Sequence, residues 1–412
     1  SINIPAANFE VPIYYKDFNF GTPTITLSDY AYPDSPDQGL TNATKTINIT
    51  YGNPAKIDLV AQSLSLEVGT PSQITLKLLN QYDQEVPAIT DTLINLSSTN
   101  LSGEFDTLIN GDFNLTSVTV PNGSSSITFY YRDTTSGSAT VTASKVGLTS
   151  DTVTYNLTPT NVFSLVFNNA VQTVTAGVSS NVYIIKFRDQ YGNYTIADTD
   201  FTINLSSEEL SSEFALLNSG PWNITSVDVL TGAEDARFYY KDTIAGTKQL
   251  TVSGNALQSG SQNVTVTANI PTSMAFVPNT QQTVAGQLAS GVITVVLYDT
   301  YSNVAKPSTT LTLDLSSNSS QYEFSKTITP WTPVNSVDIL TSESQSTFYY
   351  KDWIIGNSTI TASDSANILS DITLDFTIIA SDAAKLFFTT TEQSTFVNTP
   401  TDDFEFYVAD EN

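Results

Sequence analysis

The chain has 412 residues and carries 15 Lys and Arg against 41 Asp and Glu, a formal net charge of −26. A surface of that sign repels nucleic acid and anionic membranes, and acidity without long single-sign runs reads as a solvated exterior. Cysteine and histidine are both absent, which excludes disulfides, metal–thiolate sites, the commonest zinc ligand and the commonest general base.

The sequence contains no apolar run near the length of a membrane span and no signal-peptide pattern at Ser1. It enters in mid-repeat, so any export signal would lie upstream. Ser and Thr are abundant, yet apolar residues alternate regularly, which separates the chain from a disordered linker.

In chain order, the first element is Ile-Tyr-Tyr-Lys-Asp at 13–17. It is a variant of a stretch that returns as Phe-Tyr-Tyr-Lys/Arg-Asp at 129–133, 238–242 and 348–352. The closing aspartates are 116, 109 and 110 residues apart, and a period that long means one whole domain per repeat. By the two-residue strand period, Phe129 and Tyr131 share one face and Tyr130 and Arg132 the other. A glycine stands four residues after each Asp (Gly21, Gly137, Gly246, Gly356), and a second alternating run follows at 139–143 and 358–362. The spacing predicts a hairpin with glycine at a positive-φ position.

Four further landmarks keep the same register. Asn80-Gln-Tyr, Asp189-Gln-Tyr-Gly-Asn, Asp299-Thr-Tyr-Ser-Asn and Asp410-Glu-Asn412 come first. Ile/Leu-Asn/Asp-Leu-Ser-Ser follows at 94, 203 and 313. Then come Glu104-Phe105, Glu213-Phe214 and Glu323-Phe324, and finally Ser117-Val118, Ser226-Val227 and Ser336-Val337. The repeats are therefore read as 55–160, 161–270 and 271–383. Residues 1–54 match only the C-terminal half of a unit, and 384–412 only its first two strands. Joints fall at Pro54, Thr158-Pro-Thr and Ile270-Pro-Thr, short and proline-bearing, which predicts stiff connections. The fourth, Ser381-Asp-Ala-Ala, is less marked.

Within the second repeat the alternation predicts strands at 163–167 and 171–175, a split first strand broken near Asn168-Asn169. Others follow at 182–187, 201–205, 213–217, 225–229, 236–240, 249–252 and 263–267. That spacing, with turn signals between, marks a β-sandwich. No segment sustains a 3.6-residue period, so almost no helix is expected. The fold class is all-β, tandem Ig-like β-sandwich domains in an extended array. Each unit is expected to be about 40 Å long and the array on the order of 150 Å, from the rise per strand residue.

The landmarks carry a resemblance. Val/Ile-x-Phe-x-Asp-x-Tyr-Gly-Asn, then Leu-Ser-Ser, then Phe-Tyr-Tyr-Lys-Asp-x-x-x-Gly-x-x-x-Leu/Ile-Thr resembles the bacterial Ig-like domains of invasin and intimin type. The likeness covers all three complete units and both partial ones. The segment 189–193 is the best match, whereas 80–84 departs from it in lacking Gly-Asn. Such domains occur in adhesins, surface-layer proteins and enzyme stalks, so the resemblance implies a fold and leaves the function open.

Candidate sites follow from the recurring residues. Glu104, Glu213 and Glu323, with Asp133, Asp242 and Asp352, are expected at turns and strand ends, because a catalytic pair is not copied into every unit of an array. No catalytic or cofactor-binding residue is assigned. Acidic loops near the joints raise the possibility of structural calcium there, although no Asp-x-Asp-x-Asp-Gly loop occurs. The outward tyrosines Tyr14, Tyr130, Tyr239 and Tyr349 are expected to pair with aromatics across strands, a sugar-stacking platform being the alternative. A lysine–asparagine crosslink needs an inward lysine in register. Lys77 and Lys186 align, but the third repeat has Val296.

Thirteen Asn-x-Ser/Thr sequons occur, at Asn42, Asn48, Asn95, Asn100, Asn114, Asn122, Asn156, Asn193, Asn204, Asn223, Asn263, Asn318 and Asn357, against about eight by chance composition. Asn95 and Asn204 lie between inward Ile and Leu and are expected to face solvent. Asn114 and Asn223 also align, though Asp314 and Pro333 break both columns in the third repeat. Candidate glycosylation sites are Asn95, Asn204, Asn114, Asn223, Asn42, Asn48 and Asn357.

The expected role is an extracellular structural protein of a cell-surface layer, lattice or filament. Its partners would be copies of itself or other surface-layer subunits, with glycans attached and no membrane insertion in this segment. The alternative is the stalk of a cell-surface adhesin whose binding tip lies outside the chain. An enzyme accessory region is a third class. The partial units are expected to mark a segment of a longer chain, with strand addition between subunits as the other reading.

Overall fold

The computed structural model describes residues 2, 4, 10–28, 39–286 and 289–410. Among these there is no helix, so none long and apolar enough to cross a membrane. The chain separates into two compact units, one of residues 1–162 with 188–195, the other of 163–187 with 196–412.

In the first unit two sheets enclose one core. One has the order Lys56–Ala61, Ser72–Leu79, Ser126–Arg132, Glu104–Asp106. The other has the order Ser65–Glu67, Asp151–Thr158, Gly137–Ser144, Thr92–Ser98, Ser117–Val120. The first strand is split. Its opening half lies antiparallel to Ser72–Leu79, and its second half crosses over to run parallel with the last strand, Asn156 opposite Ser65. This antiparallel sandwich with a switched first strand is the Ig-like arrangement.

The second unit repeats the plan twice. In its first sandwich Ser164–Phe167, Tyr183–Arg188, Asp235–Lys241 and Glu213–Ala215 form one sheet. Gln172–Thr175, Gly260–Thr267, Gly246–Gly254, Phe201–Ser207 and Ser226–Val229 form the other. The sandwich between Ser273–Val277 and Ile372–Ile379 follows the same order. A two-stranded sheet, Thr24–Leu27 with Ala43–Thr46, belongs to the first unit, and another, Lys385–Phe388 with Phe406–Ala409, to the second.

Alternation builds the cores. Ile74, Leu76 and Leu78 on one strand and Ile94, Val141 and Ala143 on the facing sheet are fully buried. Aromatics fill the middle: Tyr131 lies 5.4 Å from Phe105 and 5.1 Å from Tyr155, and in the third repeat Tyr350 lies 5.1 Å from Phe376. Each such ring removes on the order of 150–250 Å² from water, so these tyrosines dominate the burial.

One expectation is corrected. The Phe-Tyr-Tyr strand and the run after its glycine do not form a hairpin. Ser126–Arg132 pairs with Ser72–Leu79 and Glu104–Asp106, while Gly137–Ser144 pairs with Asp151–Thr158 and Thr92–Ser98. The connection is an arch that carries the chain from one sheet to the other. Both runs point apolar side chains inward, and a hairpin would have put all of them on one sheet. Gly137, at φ +114°, opens the second strand where a residue with a Cβ would be strained.

Candidate functional site

The arch is held by its aspartate. Asp133 is buried, and its Oδ2 accepts hydrogen bonds from the Tyr131 hydroxyl at 2.6 Å and the Asn100 carboxamide at 2.9 Å. Its Oδ1 accepts from the Ser102 hydroxyl at 2.6 Å and the Thr135 N–H at 2.9 Å. Asp242 repeats this with Tyr240, Ser212, Ser211 and the Ile244 N–H, and Asp352 with Tyr350, Ser319 and the Ile354 N–H. Burial pushes the Asp242 carboxyl pKa up, but the four donors outweigh it and hold the group below the usual range. The tyrosine hydroxyls move the other way. Burial and the adjoining carboxylate raise Tyr131 and Tyr350 far above ordinary phenol values.

The recurring glutamates lie on the neighbouring short strands, opposite the basic residue that precedes each aspartate. Glu104 pairs with Arg132 at 2.6 Å and Glu213 with Lys241 at 2.7 Å, while Glu323 accepts from the Trp331 indole N–H at 2.7 Å. The basic residues also cap aromatic rings: Arg132 over Phe113 at 4.2 Å, Lys241 over Trp222 at 4.7 Å, and Lys351 over Trp353 at 4.8 Å. Asp133 and Glu104 therefore belong to different faces and do not converge.

Two of the arches meet the next Asp-x-Tyr-x-Asn turn. Within the first unit, the Asn193 carboxamide donates to the Thr134 carbonyl at 2.9 Å and accepts from the Ser136 N–H at 2.9 Å. Within the second unit, Asn303 donates to the Thr243 carbonyl and accepts from the Ala245 N–H, both at 2.8 Å. The aspartate organises the turn. Asp189 Oδ1 accepts from the Tyr191 and Asn193 N–H groups, and its Oδ2 from the Asn193 carboxamide and the Thr160 N–H. Asp299 repeats the four bonds with Tyr301, Asn303 and Asn269.

The tyrosine completes the clasp. Tyr191 lies on Gly69 and Tyr301 on Gly177, and a Cβ at either glycine would overlap the ring. Both glycines have positive φ, +81° and +77°, and donate to the carbonyl of the arch aspartate at 2.7 Å. Only glycine satisfies that backbone and that contact together.

The departing copy at 80–84 does the same work by another route. Asn80 accepts from the Tyr82 and Gln84 N–H groups, and the longer Gln84 carboxamide reaches the Phe18 carbonyl, the counterpart of Thr134. Position 192 is glycine, but its counterparts Ser302 and Asp83 also adopt positive φ, +67° and +64°. The missing Gly-Asn therefore leaves the turn intact. Of the last copy, Asp410 accepts from the Ser381 N–H at 3.1 Å, whereas Glu411 and Asn412 lie outside the described residues.

These bonds bear on calcium. A carboxylate has about four lone-pair sites, and both Asp189 and Asp299 already accept four hydrogen bonds. Among the described residues no three acidic side chains come together in a way that could hold a metal ion. Addition of a chelator is accordingly expected to leave the thermal midpoint unchanged. A fall reversed by calcium alone would show that a cation replaces some of these donors.

Other candidates fall as follows. Tyr130, Tyr239 and Tyr349 are half-buried and stand opposite Asp106, Ala215 and Ser325. The expected aromatic cross-strand pairing is therefore not what surrounds them, since the ring contacts run through the inward tyrosines. Tyr14 is 96 % exposed. Lys77 and Lys186 point outward to Glu85 and Asp235. The inward lysine is Lys248, buried with its ammonium 3.1 Å from Glu209. It occupies the place of Ala139 and Ser358, and that column was the signal available in the sequence. Asn95, Asn204, Asn114, Asn223, Asn42, Asn48 and Asn357 are all exposed.

No family model matches the chain, and no curated protein does. Among solved structures, the Escherichia coli adhesin FdeC is 12% identical, over 80% of this chain and 100% of that one, with a TM-score of 0.35. Invasin, a bacterial integrin-binding protein, is 13% identical over 82% and 63%, with a TM-score of 0.34. Domains 1–6 of the surface-layer protein SbsC are 15% identical over 95% and 53%, with a TM-score of 0.26. The chain thus spans less than two thirds of each of the last two. By its own strand order it consists of tandem Ig-like β-sandwich domains, and the proteins it is similar to include adhesins and surface-layer proteins.

Proposed function

We propose that this chain is a structural part of an extracellular surface assembly, a layer, lattice or filament formed with further copies or related subunits. The observation that supports this most directly is the fate of the recurring residues. Asp133, Asp242 and Asp352 hold arches, Glu104 and Glu213 pair across strands, and Asn193 and Asn303 lock turns to arches. What the repeats preserve is the fold and its joints.

A hydrogen-bonded joint transmits load with little internal freedom, which is the property that a spacer in an assembly needs. An acidic, cysteine-free exterior suits an aqueous setting outside the cell. Electron cryo-microscopy of native envelopes, with the chain located by antibody, tests the reading. Regularly spaced label on an ordered array is expected. Isolated projections with the label below a terminal head would replace it with an adhesin stalk.

A further inference from the structure

The two sheets of each sandwich present different chemistry to solvent. On the four-stranded sheet of the first repeat the outward residues include Lys56, Lys77 and Arg132. The outward strand residues of the facing sheet are chiefly Thr, Ser and Asn, and none in any of the three repeats is Lys or Arg. Every sequon asparagine that lies in a strand lies on this second kind of sheet: Asn95, Asn156, Asn204, Asn263 and Asn357. Asn95 stands between Ser117 and Ser144, and Asn204 between Ser226 and Ser253. Across the strands, a bulky substituent at either position meets only small hydroxyl side chains.

Two other sequons are spent on the fold. The Asn100 carboxamide and the Ser102 hydroxyl both donate to Asp133. The Asn193 carboxamide donates to Thr134 and Asp189, and the Thr195 hydroxyl donates to the Thr160 carbonyl. Sugar on either asparagine would displace an arch or a clasp.

We propose that the hydroxyl-covered sheet is a glycan-bearing face, with N-linked sugar at Asn95 and Asn204, while Asn100 and Asn193 stay unmodified. The donor would be a glycosyl group activated as a phosphate ester of a lipid carrier. The Nδ2–H bond breaks and an Nδ2–C1 bond forms. The anomeric C–O bond breaks with its electron pair leaving on the phosphate, and the amide proton passes to solvent. The third repeat has Asp314 at this position, so it carries no sugar there.

The inference rests on the extracellular placement proposed above, and glycopeptide mapping separates the two. Protein purified from its native source, digested and fragmented by electron transfer, is expected to show sugar mass at Asn95 and Asn204 and none at Asn100 or Asn193. Bare Asn95 and Asn204 on surface-located protein would overturn the glycan face alone, as would sugar at Asn100 or Asn193. Absence of the protein from the surface would overturn the placement. N95Q with N204Q is expected to lose both sugar masses and to keep the unfolding midpoint, and retention of the sugar mass by that variant would also overturn the assignment.

Discussion

Asp242→Ala is expected to destabilise the 164–267 sandwich by about 3 kcal/mol or more, because it strands several buried donors at once. The Tyr240, Ser211 and Ser212 hydroxyls and the Ile244 N–H all lose their acceptor. Heat or urea unfolding of the whole chain, followed by a probe within this repeat, reads the effect. A loss below about 1 kcal/mol, the worth of one ordinary hydrogen bond, would show that the arch does not depend on its carboxylate. The same group sets a pH dependence. Its folded pKa is lowered, so its contribution is full above the unfolded aspartate value of about 4 and is lost as pH falls through the lower folded value. Asp242→Ala should therefore flatten the acid limb of the stability profile as well as lower its plateau.

Asn303→Ala is the second large effect, and its readout is the joint. Five hydrogen bonds of the 299–303 turn involve Asn303, two of them to the arch at 243–245. Losing the three that use the side chain is expected to weaken the clasp by about 2–3 kcal/mol. Where cleavage follows opening, proteolysis within 268–272 should then accelerate on the order of 30–150-fold. The midpoints of the two flanking sandwiches serve as the control and should hold. Asn303→Asp should act similarly, since it keeps an acceptor for the Ala245 N–H but sets a second carboxylate against Asp299 and the Thr243 carbonyl. Unchanged cleavage in both variants would mean that Tyr301 on Gly177 suffices to close the joint.

Much of the strand inventory was legible from alternation alone. The expected strand at 182–187 is observed as Tyr183–Arg188, 225–229 as Ser226–Val229, and the split first strand as Ser164–Phe167 and Gln172–Thr175. A period of two states which side chains face inward, and burial enforces that choice. It does not state which sheet a strand joins, because both sheets present the same alternation to a shared core. Alternation therefore predicts a hairpin where the chain makes an arch. The clasp was legible only as a recurring turn, since the partners of Asn193 and Asn303 are backbone atoms more than fifty residues away that leave no mark in composition. Gln84 shows the same limit: a carboxamide one carbon longer, in a turn without Gly-Asn, reaches the equivalent carbonyl.

The position of Asn303 also decides how the molecule can be divided. A recombinant fragment begun at Pro271 would keep the 299–303 turn but leave behind the Asn269 N–H, the Thr243 carbonyl and the Ala245 N–H that satisfy it. Its Tyr301 ring, already partly exposed, would lose its contact with Gly177 as well. Truncations for crystallisation or display should therefore keep neighbouring sandwiches in pairs, since the boundary that sequence numbering suggests cuts through a shared set of bonds.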